Sequence, residues 1–187
     1  MNTLFKSTKF SNVKGICITE TATFRFDSKI LSILKQEALI KDTTLNSLVN
    51  RIISEYLDWH SETKNTNHIH LWKQIPVKLL EKYSDDEIKL IAKEVSSIEL
   101  KDTMMVLREK FDIITYFEVL QSWLKASNFV YTYNIDGAQH KFIIQFNMGK
   151  KWSLFLSECF RCVCDELDVK CSVNVSDKIL VFEVNVK

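Results

Sequence analysis

The chain has 187 residues, 46% of them apolar, enough for one large core or two small ones, and 25 Lys or Arg against 24 Asp or Glu leave a net charge of +1. Global basicity this weak excludes a purely electrostatic nucleic-acid binder, and the absence of any run of 18 apolar residues or of a signal-like apolar stretch in MNTLFKSTKFSNVKG predicts a cytoplasmic protein with no membrane segment. Five cysteines, an odd number, predict reduced thiols rather than a disulfide frame.

In chain order, residues 1–18 read as a flexible, lysine-bearing arm, with Lys6, Lys9 and Lys14 placed to track a phosphate backbone or simply to fray. Charge is unevenly distributed. Through Lys41 there are seven Lys or Arg against three Asp or Glu, whereas residues 61–187 carry 17 against 18. The N-terminal end is therefore the expected nucleic-acid end. In TATFRF, Ala22, Phe24 and Phe26 point one way and Thr21, Thr23 and Arg25 the other, the period-2 pattern of a strand. A lone strand cannot satisfy its own backbone groups, and no second strand follows before the helices begin. The expected solution is a second copy of the chain, its strand paired antiparallel across a two-fold axis.

Asp27 and Ser28 then supply caps for a first helix with apolar Ile30, Leu31, Leu34, Ala38 and Leu39, ending near Lys41 and Asp42. Thr43 or Thr44 supplies the cap of a second, in which Leu45, Leu48, Val49, Ile52, Ile53 and Tyr56 form an unbroken helical stripe. With TFRFD and TTLNSLVNRIISEYL in this order, the segment resembles the ribbon-helix-helix family, the Arc, MetJ and CopG type of DNA-binding dimer. The resemblance covers residues 19–59. It implies that Thr21, Thr23 and Arg25 read bases in the major groove, where an Arg can grip guanine O6 and N7. It also implies a phosphate clamp at Thr44, Leu45 and Asn46, on the amides and positive end of the second helix, with Lys41 adding a point charge.

SETKNTN, within a linker expected at residues 61–70, separates the ribbon-helix-helix domain of residues 19–60 from a second domain at residues 71–187. There Pro76 suits a first helical turn, Ser84 and Glu87 form a capping-box pattern, and helices are expected over residues 100–108, 113–125 and 150–167. FVYTYNI and HKFIIQF, around Asp136 and Gly137, read as a hairpin, and CSVNV with ILVFEVNV as a second strand pair. The expected class is α+β: a dimeric βαα unit, a helical segment, then a small antiparallel ββαββ domain for ligand sensing or oligomerisation.

No catalytic constellation emerges. Beyond residue 70 there is one His, His140, with no glycine-rich phosphate loop, HExxH or nucleophile elbow, and Asp85 and Asp86 suit a helix dipole. Cys159, Cys162 and Cys164 fall on an expected helix; Cys159 and Cys162, with Trp152, Leu156 and Val163, are expected on its core face as small apolar residues rather than metal ligands. His60 closes the ribbon-helix-helix domain, and His68 and His70 lie in the linker. His68-Ile69-His70 resembles the HxH ligand pair of nickel-responsive ribbon-helix-helix repressors, but LWKQIPVK follows where that family places a Cys, and solvated linker histidines are expected.

The combined expectation is a homodimeric, sequence-specific transcription regulator, not an enzyme, that binds double-stranded DNA, needs no cofactor or metal, and answers to a small-molecule effector or assembles into a higher oligomer. The alternatives are a protein-interaction module such as an antitoxin, or the metal-responsive repressor.

Overall fold

The structure is a computed structural model in which residues 19–61 and 68–186 are described; the expected arm at residues 1–18 and most of SETKNTN lie outside the described residues. The architecture is mixed helix and sheet, and the chain divides into two compact units, one through Leu45 and one from Asn46. No helix among the described residues is long and apolar enough to cross a membrane.

In the first unit, residues 19–27 are exposed and carry no regular secondary structure. Helix α1 (Ser28–Ile40) begins where the Asp27 carboxylate accepts the N–H groups of Lys29 and Ile30, at 2.9 and 3.3 Å. It stops because Asp42 takes a left-handed φ of 47°. That conformation lets the Asp42 N–H donate to the Leu39 carbonyl at 3.2 Å and the Thr43 N–H to that of Ala38 at 2.9 Å, the double closure of a Schellman motif.

Helix α2 (Leu45–Glu55) opens at the boundary between the units and runs into a five-residue π turn, Tyr56–His60. Beyond it come α3 (Gln74–Leu80), with Pro76 in its first turn, and α4 (Asp85–Val95). The Ser84 and Glu87 capping box opens α4: the Ser84 hydroxyl accepts the Glu87 N–H at 3.3 Å, and the Glu87 carboxylate accepts the Ser84 N–H at 2.7 Å. A second π turn, Ser96–Leu100, joins α4 to α5 (Lys101–Arg108), which ends at a left-handed Glu109. Asp112 caps α6 (Ile113–Ala126) by accepting the Thr115 N–H at 2.8 Å.

The hairpin follows as β1 (Val130–Asp136) and β2 (Gln139–Gln145). Its loop is Gly137-Ala138, with φ positive at Gly137 and not at Ala138, which marks a type II′ turn with glycine at the position that demands it. Helix α7 (Lys150–Glu166), β3 (Cys171–Val175) and β4 (Ile179–Asn185) complete the fold. The sheet is antiparallel in the order β1-β2-β4-β3, so α7 carries the chain past the place that β4 later fills.

One face of the sheet is covered. His140, Phe142 and Ile144 of β2 stand opposite Val184, Phe182 and Leu180 of β4, and all but His140 are buried. Tyr116 and Phe117 of α6 and Phe160 of α7 pack on this face, Phe160 lying 4.8 Å from the Phe182 ring and Phe117 5.5 Å from Phe142. Each large apolar side chain withdrawn from water here contributes about 1.5 to 3 kcal/mol. Helix α7 is buried on two sides, because the Cys159 thiol donates to the Ala92 carbonyl of α4 at 3.8 Å. Ser153 and Ser157, both fully buried, keep its contacts close, and the Ser153 hydroxyl reaches the Ser176 carbonyl at 2.8 Å.

This arrangement corrects the expected core face of α7. Cys159 and Cys164 are buried and Cys162 is half-exposed, because Leu156, Phe160 and Cys164 form the column four residues apart that meets the sheet. Trp152 is likewise only partly buried and leans on Phe155, with ring centroids 5.5 Å apart.

Candidate nucleic-acid interface

The residues expected to read bases, Thr21, Thr23 and Arg25, are all exposed. Beside them, the Phe24 and Phe26 ring centroids lie 6.4 Å apart. Both rings are open to solvent: Phe24 is 65% and Phe26 44% exposed. Helix α1 continues the pattern, with Ile30, Ile33, Leu39 and Ile40 exposed and Ala38 buried.

Lys41 sits at the C-terminal cap of α1, where its ammonium contacts the Glu37 carboxylate at 2.5 Å. Its charge is thus partly engaged. Thr44 precedes α2, and Leu45 and Asn46 open it, so the first amide N–H groups of the helix, which have no intrahelical acceptor, belong to this stretch. Asn46 is exposed, and its carbonyl and side-chain oxygens accept from the Asn50 amide at 2.9 and 3.2 Å. Farther along α2 and its π turn, Leu48 is buried while Ile52, Ile53, Tyr56 and Leu57 are exposed.

The fourth residue of the π turn occupies a position that was not foreseen. Trp59 is buried in the main core of the second unit. Arg108 of α5 braces this turn, donating to the Asp58 carbonyl at 3.5 Å and the Ser122 hydroxyl at 3.4 Å while facing Glu118 at 3.7 Å. A widened turn of this kind shifts the helix register, a signal that a 3.6-residue period does not carry.

Of the three histidines, His68 lies against the same tryptophan, and His60 and His70 lie against each other. His68 remains exposed but sets its ring edge-on to Trp59 at 5.0 Å, and His60 and His70 lie 5.9 Å apart. Partial desolvation holds the His68 imidazole below its ordinary pKa, against the pull of the Glu99 carboxylate. His68 and Glu99 also line an open crevice of about 390 Å³ with Val95, Leu100 and Thr103. Among the described residues no three His, Cys, Asp or Glu side chains form a group able to hold a metal ion.

Burial pushes the Cys159 thiol up to about 12 and raises the Cys164 thiol well above its ordinary value, and desolvation with the nearby Glu158 and Asp165 carboxylates raises Cys162, so these three groups are held in the protonated, less nucleophilic form. No family model matches the chain, and no curated protein matches its sequence.

Proposed function

We propose that the chain is a homodimeric, sequence-specific DNA-binding transcription regulator, in which two copies of residues 21–26 pair into an antiparallel ribbon that enters the major groove. The observation that carries this reading is apolar surface left in water on each unit: Phe24, Phe26, Ile30 and Ile33 before the boundary, and, on the second unit, Ile52, Ile53 and Tyr56. Exposed apolar side chains grouped in this way mark an interaction site, and the period-2 pattern of residues 21–26 fits a strand whose partner is its own copy. Thr21, Thr23 and Arg25 then form the reading face, and the start of α2 at Thr44, Leu45 and Asn46 holds a phosphate. The closed α+β domain serves effector sensing or further assembly, and its folded core weighs against an antitoxin, whose masking segment is a short disordered tail.

The test is titration of the purified chain with random-sequence duplex and with duplex enriched by repeated selection on the protein. Tighter binding to the enriched pool supports specific readout. Equal affinity for both pools contradicts it.

A further inference from the structure

The β1 strand is the open edge of the sheet, and it lacks the devices by which edge strands are normally protected. Its seven residues, VYTYNID, contain no Lys, Arg or Pro and no glycine, and the single charge, Asp136, sits at the end beside the turn. Val130 and Ile135 are 68% and 60% exposed. The opposite edge, β3, is two residues shorter and is entered through Lys170.

The hairpin determines which backbone groups are open. In a two-residue II′ hairpin the flanking residues, here Asp136 and Gln139, exchange both hydrogen bonds, so the alternate residues Asn134, Thr132 and Val130 also bond to β2. Tyr131, Tyr133 and Ile135 therefore turn their N–H and C=O groups toward the open edge. The same three side chains lie on the face that carries Phe142 and Ile144, because they stand opposite Ile144, Phe142 and His140.

We propose that β1 is a self-association edge that pairs antiparallel with β1 of a second copy about a two-fold axis at Tyr133, fusing two four-stranded sheets into one. The sequence is self-complementary in that register. Tyr133 meets the partner's Tyr133, Tyr131 meets the partner's Ile135, and Thr132 meets the partner's Asn134. Apolar residues face apolar residues on the helix-covered side, and polar residues face polar residues on the other. The three open residues of each copy supply about six reciprocal backbone hydrogen bonds. This contact is separate from the ribbon proposed for residues 21–26, and it gives the chain a second self-interface.

Amide hydrogen exchange on the full-length protein reads these groups directly. At concentrations where the protein is associated, the amides of Tyr131, Tyr133 and Ile135 should exchange about tenfold or more slowly than those of open strand positions, and dilution should release them. Ile135→Lys, at an exposed position, should leave the protection of Phe142 and Phe182 unchanged while freeing the three edge amides. Fast exchange of the edge amides in the concentrated wild type overturns the proposal. So does protection that survives both dilution and Ile135→Lys, which would place another segment of the same chain on the edge. Because the readout is confined to β1, neither result bears on the DNA reading.

Discussion

The two units of this chain are built from similar amounts of local order and opposite amounts of burial. Before the boundary at Leu45, a well-capped helix and an irregular segment leave Phe24, Ile30, Leu39 and Ile40 in water, and Ala38 is the one buried apolar residue among those described. After it, four strands and their helices enclose Tyr116, Phe117, Phe142, Phe160 and Phe182 with almost no access to solvent. Capping and periodicity fix where helices lie in both units, but among the described residues a closed core is found in the second. Helical order without burial is weakly stable in isolation, and the proposed pairing with a second copy would supply the first unit with the burial it lacks among those residues.

Charge placed on α2 should give the largest break in this contrast. Leu48→Asp buries an uncompensated carboxylate and should cost several kcal/mol, removing N-terminal folding and DNA binding together. Ile52→Asp is more selective, because that side chain is already 41% exposed within one chain. It should leave the near-ultraviolet signature of the aromatic core intact while removing one step of self-association in sedimentation, the one made through the ribbon and α2. A variant that has lost that step and still binds selected DNA as wild type does would break the ribbon reading.

Arg25→Ala should have an intermediate effect, costing about 1 to 3 kcal/mol per base contact and relaxing preference at one position in each half-site. The second unit should not respond, so its melting transition should stay where it is.

Within the closed unit, Asp112→Ala should cost about 1 kcal/mol of stability, measured by urea denaturation, because the Thr115 N–H at the start of α6 loses its acceptor. The same bond holds the Asp112 carboxyl below its ordinary value of 3.8. A depressed folded pKa makes this contribution present above the unfolded value and lost as pH falls through the folded one. The wild-type advantage over Asp112→Ala should thus shrink only in strong acid, below about pH 4.

Lys41→Ala should have the smallest effect, weakening binding to all sequences alike and lowering the salt slope by about one. An unchanged slope would indicate that the contact with Glu37 already consumes the charge that DNA would otherwise meet.

Much of the second unit was legible because local signals and packing agree there. The Ser84 and Glu87 pair and the alternation of HKFIIQF are realised as expected, and the Asp136-Gly137 signal marks the hairpin, whose two-residue loop falls one position later, at Gly137-Ala138. Three features escaped for physical reasons. The π turns at Tyr56–His60 and Ser96–Leu100 break the 3.6-residue period, so Trp59, which that period places at the end of a helix, enters the core instead. The strand order β1-β2-β4-β3 depends on where α7 packs rather than on any local pattern. Cys162, expected on the core face, is half-exposed because α7 meets both the sheet and α4, and a two-sided helix has no single apolar stripe to locate. In the first unit the helix and its cap were equally legible. The proposed pairing of residues 21–26 would be a property of two chains, which the pattern of one chain does not display.

The central claim is that those residues read DNA as a two-fold ribbon, and site selection from random duplexes, followed by titration of wild type and Arg25→Ala on the selected sequence, tests it most directly. The account predicts a two-fold symmetric motif, bound roughly ten- to a hundredfold or more weakly by Arg25→Ala. A motif without symmetry, or equal binding by the two proteins, would contradict the assignment of Thr21, Thr23 and Arg25 as the reading face.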